Sequence, residues 1–118
     1  MLTLPSSVRV FLAVEPVDMR GSFDALAGRV RAQDMDPQDG HLYVFMNRRR
    51  GLMKVLFFDR SGSCQVSKRL ERGTFQVPAV GPDGLPRREL TPTELGLILE
   101  GVDLRQRARR ARLQRAAG

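Results

Sequence analysis

The sequence predicts an α+β fold: a single antiparallel sheet of about four strands with two packed helices, in the order β-α-β-β-β-α, followed by a basic C-terminal tail. Four short apolar runs bounded by turn residues predict the strands. Two stretches with apolar residues at helical spacing predict the helices, which we expect on one face of the sheet. The 118 residues, 42% of them hydrophobic and 28% charged, fit one globular domain. We place that domain at residues 1–104 and an arginine-rich tail at residues 105–118.

The first half of the chain predicts a strand, a helix and a β-hairpin. Residues 8–14 are mostly apolar and rich in valine, which is typical of a strand. Apolar residues at helical spacing between positions 22 and 33 predict the first helix. Residues 42–46 and 52–58 are apolar at nearly every position, which indicates two central strands covered on both faces. The connection at residues 47–51 suits a hairpin loop, because its asparagine and glycine can adopt positive φ.

The second half predicts an edge strand, a loop and a capped helix. Residues 63–70 have the mixed character of a strand at the edge of a sheet, and residues 73–88, with three prolines and three glycines, read as a loop. The Thr-Pro-Thr-Glu sequence at residues 91–94 is a capping box with proline at the first helical position. Such a cap contributes about 1 kcal/mol. We expect the helix to stop or kink at Gly101.

The positive charge of the chain is concentrated in two blocks. The net charge is +7, with 20 basic and 13 acidic side chains. Residues 41–72 hold eight basic and two acidic side chains, and residues 105–118 hold six arginines and no acid, whereas the remaining segments are net negative. Blocks of this kind are typical of proteins that bind a polyanion such as DNA.

Three consecutive arginines at the tip of the predicted hairpin are the main candidates for DNA contact, because a stiff turn would present them together. Lys54, Lys68 and Arg69 should form one patch if the third and fourth strands pair, and the tail could order on DNA. The alternative interpretations are a solvated turn and a tail without a dedicated partner. The predicted nucleic-acid contacts are Arg48, Arg49, Arg50, Lys54, Lys68, Arg69, Arg72, Arg105, Arg107, Arg109, Arg110 and Arg112.

The sequence contains few candidates for catalytic residues. A serine or cysteine nucleophile needs a base, and His41 is the only histidine. We interpret His41 as structural and Cys64, the only cysteine, as an inert thiol. A zinc site needs about four cysteine or histidine ligands, and the chain has one residue of each type. We therefore predict no catalytic residue, no metal and no cofactor.

A magnesium-dependent nuclease is the remaining catalytic alternative, because two or three carboxylates would have to converge on the ion. The candidates are Asp18, Asp24, Asp59 and Glu71. Three of these carboxylates also have a simpler structural interpretation. Asp18 could cap a helix or pair with Arg20, Asp59 begins a turn, and Glu71 has arginines close to it in sequence.

Cysteine content and hydropathy predict where in the cell the protein is located. A single cysteine excludes an internal disulfide and is typical of a reducing cytosol. The first residues lack the basic start and long apolar stretch of a signal peptide, and no apolar run approaches the ~20 residues that cross a membrane. We expect a cytoplasmic protein without a membrane partner.

Six segments, taken in order, resemble the small accessory proteins called TnpB of the sixty-six family of insertion sequences. The resemblance spans about residues 4–104, and Leu104 stands where the family has a tryptophan. The segments are residues 4–10, 18–26, 40–49, 54–62, 68–75 and 95–103.

The resemblance implies an accessory role, since the catalytic transposase of these elements is a separate, larger protein. We therefore predict a non-catalytic protein of transposition that binds DNA at the ends of the element through its basic hairpin and tail. The alternative is a protein-interaction subunit that docks on the transposase without direct DNA contact. An open sheet would also leave an edge strand, which a homodimer could pair.

Overall fold

The backbone forms five strands and two helices in the part of the chain that the computed structural model describes, residues 7–18, 20–77 and 84–101. The predicted domain end at residue 104 and the whole basic tail lie outside these ranges. The elements are β1 (Val10–Ala13), α1 (Phe23–Ala32), β2 (Leu42–Met46), β3 (Leu52–Phe58), β4 (Ser63–Arg69), β5 (Arg87–Leu90) and α2 (Pro92–Leu99).

The five strands form one sheet in the order β4-β3-β2-β1-β5, and the α+β class is confirmed. The sheet is mixed rather than purely antiparallel, because β1 and β2 pair in parallel and are connected through α1. The remaining neighbours are antiparallel. The sheet is open, with β4 and β5 at its edges, and the edge-to-edge homodimer stays a prediction.

Strand β5 is the element that the sequence does not predict. Its first two residues fall at the end of the predicted loop, yet Leu90 pairs with Val10 and Arg87 with Ala13. Three of its four residues are charged and a proline precedes it, so neither β propensity nor alternation marks it as a strand. Its backbone pairing with the apolar strand β1, far away in sequence, determines its conformation.

The helices cover opposite faces of the sheet, whereas the sequence analysis expected both on one face. Helix α1 packs on the face that carries Phe11, Tyr43 and Leu56. Helix α2 packs on the face that carries Leu12 and Val44. Because side chains alternate along a strand, these two groups point to opposite sides. This explains why all five residues of β2 are buried and apolar.

The helix boundaries follow the local signals in the sequence. Helix α1 begins after its N-cap Ser22 and ends at its C-cap Gln33, as predicted. The capping box of α2 is confirmed: Glu94 N donates to Thr91 Oγ1 at 3.0 Å, and Thr91 N donates to Glu94 Oε1 at 2.9 Å. Gly101 follows the helix with φ of 76°. Within the described ranges, neither helix has the length and apolar character that crossing a bilayer requires.

Candidate nucleic-acid interface

Asn47 organises the turn between β2 and β3. Its backbone N–H donates to the carbonyl of Leu52 at 3.1 Å, and its own carbonyl accepts from Arg50 N at 3.0 Å. The Asn47 Oδ1 atom accepts from Gly51 N at 3.0 Å and from Leu52 N at 3.1 Å. Four hydrogen bonds therefore converge on one residue, and they hold the tip of the hairpin in a defined shape.

Arg50 adopts the left-handed conformation in this turn, with φ of 57°. The expectation that asparagine or glycine would take the positive φ is wrong, since neither Asn47 nor Gly51 does so. The Arg50 carbonyl accepts from Phe75 N at 2.7 Å, and the Phe75 ring is completely buried. The segment after β4 thus holds the backbone of Arg50 in place through a hydrogen bond from a residue that is not part of the hairpin. A residue other than glycine in this conformation carries about 1–2 kcal/mol of strain.

The three arginines of the tip, Arg48, Arg49 and Arg50, are exposed to solvent. None of them has an ion-pair partner among residues 7–18, 20–77 and 84–101. A positive cluster on a rigid turn, without a carboxylate to neutralise it, can bind an anion without first breaking an internal ion pair.

Strand pairing adds a fourth arginine to this end of the sheet. Arg69, the last residue of β4, lies opposite Leu52, the first residue of β3. It is exposed and, within the described part of the chain, has no ion-pair partner. Arg48, Arg49 and Arg69 are among the residues that line an open groove of about 890 Å³.

The loop that follows β1 also lines the groove. Its lining residues are Pro16, Val17, Asp18 and Arg20. The N–H of Val17 donates to the carbonyl of Met46 at 3.0 Å, which ties the loop to the end of β2. The loop and the hairpin lie at the same end of the sheet because β1 and β2 are parallel neighbours.

The other predicted contacts do not all join this groove. Strands β3 and β4 pair as expected, but their register places Lys54 opposite Ser67 and Lys68 opposite Met53. Because side chains alternate, Lys54 and Lys68 point to opposite faces, and the single patch expected for them with Arg69 does not form. The Lys68 ammonium instead donates to the carbonyl of Leu99 at the end of α2.

Two further groups of predicted contacts remain. Arg72 is exposed just beyond β4 and is not part of the groove. The contacts predicted in the tail, all outside the described residues, are Arg105, Arg107, Arg109, Arg110 and Arg112.

Asp18 and Arg20 form the ion pair that the sequence analysis considered. Arg20 Nε donates to Asp18 Oδ1 at 3.1 Å and Arg20 Nη2 donates to Oδ2 at 3.0 Å, while the Arg20 backbone N–H donates to Oδ1 at 2.9 Å. The hydrogen bonds from the Arg20 side chain, followed by the one from its backbone, lower the pKa of Asp18 to about 2. The Arg20 side chain is 92% exposed, so the pair lies at the surface of the groove.

The position of Arg20 in the groove was not predicted. Sequence reasoning assigned it only a structural role as the partner of Asp18, and 27 residues separate it from Arg48. No sequence signal brings the two together, because their proximity depends on the parallel pairing of β1 with β2.

Asp59 and Glu71, two of the four nuclease candidates, are far apart. Asp59 follows β3 and precedes β4, whereas Glu71 follows β4, so the full length of a seven-residue strand, about 20 Å, lies between them. One metal ion cannot bind both. The part of the chain that the structure describes contains no group of three or more histidine, cysteine and acidic side chains that could hold a metal.

Asp59 has a structural role in the turn between β3 and β4. Its Oδ1 accepts from the backbone N–H of Ser61 at 3.0 Å and of Gly62 at 3.1 Å, and its Oδ2 accepts from Cys64 Sγ at 3.4 Å. These hydrogen bonds, led by that from Ser61, lower the pKa of Asp59. Burial, followed by the contact with Asp59, raises the pKa of the Cys64 thiol, which disfavours the reactive thiolate.

His41 is also structural. Its Nδ1 accepts from the backbone N–H of Arg9 at 3.0 Å, and its ring packs edge-on against Phe11 with 6.0 Å between ring centroids. The imidazole therefore links the start of β2 to the residue before β1.

Comparison with known proteins adds a family to this geometry. The model of the family described as "IS66 Orf2 like protein" matches residues 8–109. The chain is 39% identical to the uncharacterized protein y4hO of Sinorhizobium fredii over 106 residues, which cover 89% of this chain and 90% of the relative. It is 31% identical to the uncharacterized protein y4jC of the same organism over 97 residues, which cover 81% of this chain and 80% of the relative. No solved structure matches the chain.

Proposed function

The chain belongs to the IS66 Orf2-like family of insertion-sequence proteins, and from this premise we propose that it is a non-catalytic accessory protein of transposition that binds DNA through the arginine groove. We define the arginine groove as the open groove lined by Arg20, Arg48, Arg49 and Arg69. The observation that carries the proposal is the exposure of three hairpin-side arginines, Arg48, Arg49 and Arg69, without a carboxylate partner in the described ranges.

The chemistry of the groove suits a phosphate backbone. A guanidinium group donates two parallel hydrogen bonds to a phosphate, and each such contact releases a counterion from the DNA. A two-stranded hairpin is narrow enough to enter the major groove of B-form DNA. The hairpin of β2 and β3 ends in three arginines, so its tip could contact base edges while the neighbouring arginines contact phosphates.

Two considerations support the non-catalytic part of the proposal. Asp59 and Glu71 are separated by the length of β4, and Asp59 already accepts backbone hydrogen bonds in its turn. The only histidine accepts a backbone hydrogen bond through Nδ1. Asp59 and His41 therefore each have a structural role.

The test is DNA binding by the full-length protein across a salt series, measured by fluorescence anisotropy with duplexes from the terminal inverted repeats of the element. Arg48→Ala combined with Arg49→Ala should weaken binding about tenfold or more at low salt and reduce the slope of log K against log salt by about 1.8, because two phosphate contacts are lost.

The matched control is Arg31→Ala combined with Arg60→Ala. Arg31 lies in the last turn of α1 and Arg60 in the turn between β3 and β4, and both are exposed and outside the groove. The control removes the same net charge and should leave most of the affinity. If both double variants behave alike, the hairpin has no specific part in DNA binding.

The tail is the second predicted DNA contact. Replacement of all six arginines between residues 105 and 118 by glutamine should lower the affinity and the salt slope independently of the hairpin substitutions. An unchanged slope would remove the tail from the interface.

Docking on the transposase is the second candidate function, favoured by membership of a family that serves an insertion sequence. In that case the purified protein would not retain DNA at ~0.15 M salt. A pull-down with the matching transposase, with and without terminal inverted-repeat DNA and at several salt concentrations, separates the two. Retention of the protein by the transposase alone supports docking, and retention that requires DNA supports direct DNA binding.

A further inference from the structure

We propose that Arg20 is a phosphate-binding residue of the arginine groove and that the Asp18 carboxylate occupies it as an internal substitute for a DNA phosphate. This inference rests on the proposed function, because it takes the ligand of the groove to be a nucleic-acid backbone. It adds Arg20 to the DNA contacts of the hairpin, and it adds the Asp18 carboxylate as a group that competes with DNA phosphate.

The Asp18 carboxylate meets the Arg20 guanidinium in the geometry with which arginine also binds a phosphate. Both carboxylate oxygens accept from the guanidinium, from Nε at 3.1 Å and from Nη2 at 3.0 Å, in the two-pronged arrangement that arginine also forms with phosphate. The pair joins residues only two apart, so Arg20 meets Asp18 without reaching across the groove.

The pair is open to replacement from solution. The side chain of Arg20 is 92% exposed and that of Asp18 is 57% exposed. Ion pairs at such positions contribute little to stability, because water already solvates both groups. A phosphate that enters the groove can therefore replace Asp18 on the guanidinium at small cost, and it gains the attraction of the other arginines that line the groove.

Arg20 brings a fourth guanidinium to the groove. It lines the same groove as Arg48, Arg49 and Arg69, and the hydrogen bond from Val17 N to Met46 O ties its loop to the end of β2. The groove, at about 890 Å³, is far larger than a single small anion needs. Asp18 places one negative charge among these four arginines, and that charge should oppose DNA binding.

The test uses two single substitutions with opposite expected effects. Asp18→Asn retains an oxygen that can accept from the backbone of Arg20 but removes the opposing charge, so it should strengthen DNA binding about threefold and steepen the salt slope. Arg20→Gln removes one phosphate contact, so it should weaken binding about tenfold and reduce the slope by about 0.9. Thermal unfolding of each variant checks that the fold is retained, which the exposure of both side chains leads us to expect.

Arg60→Gln is the control, since it removes one exposed positive charge from the turn between β3 and β4, at the other end of β3 from the hairpin tip. If Asp18→Asn fails to strengthen binding, or if Arg20→Gln matches Arg60→Gln while Arg48→Ala with Arg49→Ala still weakens binding about tenfold or more, the inference is wrong and the proposed function stands. If the wild-type protein binds no DNA at any salt concentration, both are wrong. A parallel titration with polyglutamate covers a protein ligand: loss of polyglutamate binding in Arg20→Gln without loss of DNA binding would assign the groove to an acidic protein segment.

Discussion

At the scale of single residues, Arg50 departs most clearly from what its side chain prefers. It adopts φ of 57°, a conformation that normally favours glycine, although Gly51 is the next residue. The bonds from Arg50 N to Asn47 O and from Phe75 N to Arg50 O hold it there. Strained residues of this kind occur often at binding sites, where the surroundings enforce a conformation that places a side chain usefully.

Arg50→Gly should raise the free energy of unfolding by about 0.5–1 kcal/mol, because glycine adopts this conformation without strain but gains freedom in the unfolded chain. Arg50→Ala is the matched control: it also removes the guanidinium but keeps the strained Cβ, so its stability should stay close to that of the wild type. Denaturant unfolding measures both. Equal stability of the two variants would show that the turn carries no strain at Arg50.

Asp59 allows a residue-scale prediction about pH. Its pKa is lowered in the folded protein by hydrogen bonds from the turn, so the charged carboxylate stabilises the fold. That contribution is complete above the ordinary carboxyl pKa of about 4 and is lost as the pH falls through the lower folded value. The stability difference between wild type and Asp59→Asn should therefore shrink between pH 7 and pH 3 in urea unfolding curves. A difference independent of pH would contradict the role of the charge in the turn.

At the scale of secondary structure, local signals in the sequence predict most elements. The bounds of β2 and β3 agree with the prediction, because both strands are apolar on consecutive residues and a polar turn separates them. The capping box of α2 predicts its first turn because all its hydrogen bonds are local. Strand β5 escapes prediction because pairing with β1, rather than its own polar sequence, makes it a strand.

The sequence predicts only the part of the candidate DNA-binding site that depends on residues adjacent in the chain. The hairpin arginines are consecutive, so the sequence alone shows that they lie together. Arg69 joins them through the register of β3 with β4, and Arg20 through the parallel pairing of β1 with β2. Neither pairing can be derived from a local pattern. The same register separates Lys54 from Lys68, which sequence reasoning had placed together.

At the scale of the whole molecule, the fold concentrates positive charge at one end of a mixed sheet. The loop after β1, the hairpin after β2 and the end of β4 all meet there, and they contribute Arg20, the three tip arginines and Arg69. The turn between β3 and β4 lies at the other end of these strands and holds Asp59 and Arg60. In the proposed function, this distribution of charge orients the protein with the end of the sheet that bears the hairpin towards DNA.

Backbone amide chemical shifts during titration with terminal inverted-repeat DNA test this orientation most directly. We predict that the largest changes occur in Val17, Asp18, Arg20, residues 47–52 and Arg69, and that residues 59–64 at the opposite end of the sheet stay unchanged. Largest changes at residues 59–64, or changes spread evenly over the described sheet, would contradict the assignment of the arginine groove as the DNA-binding site.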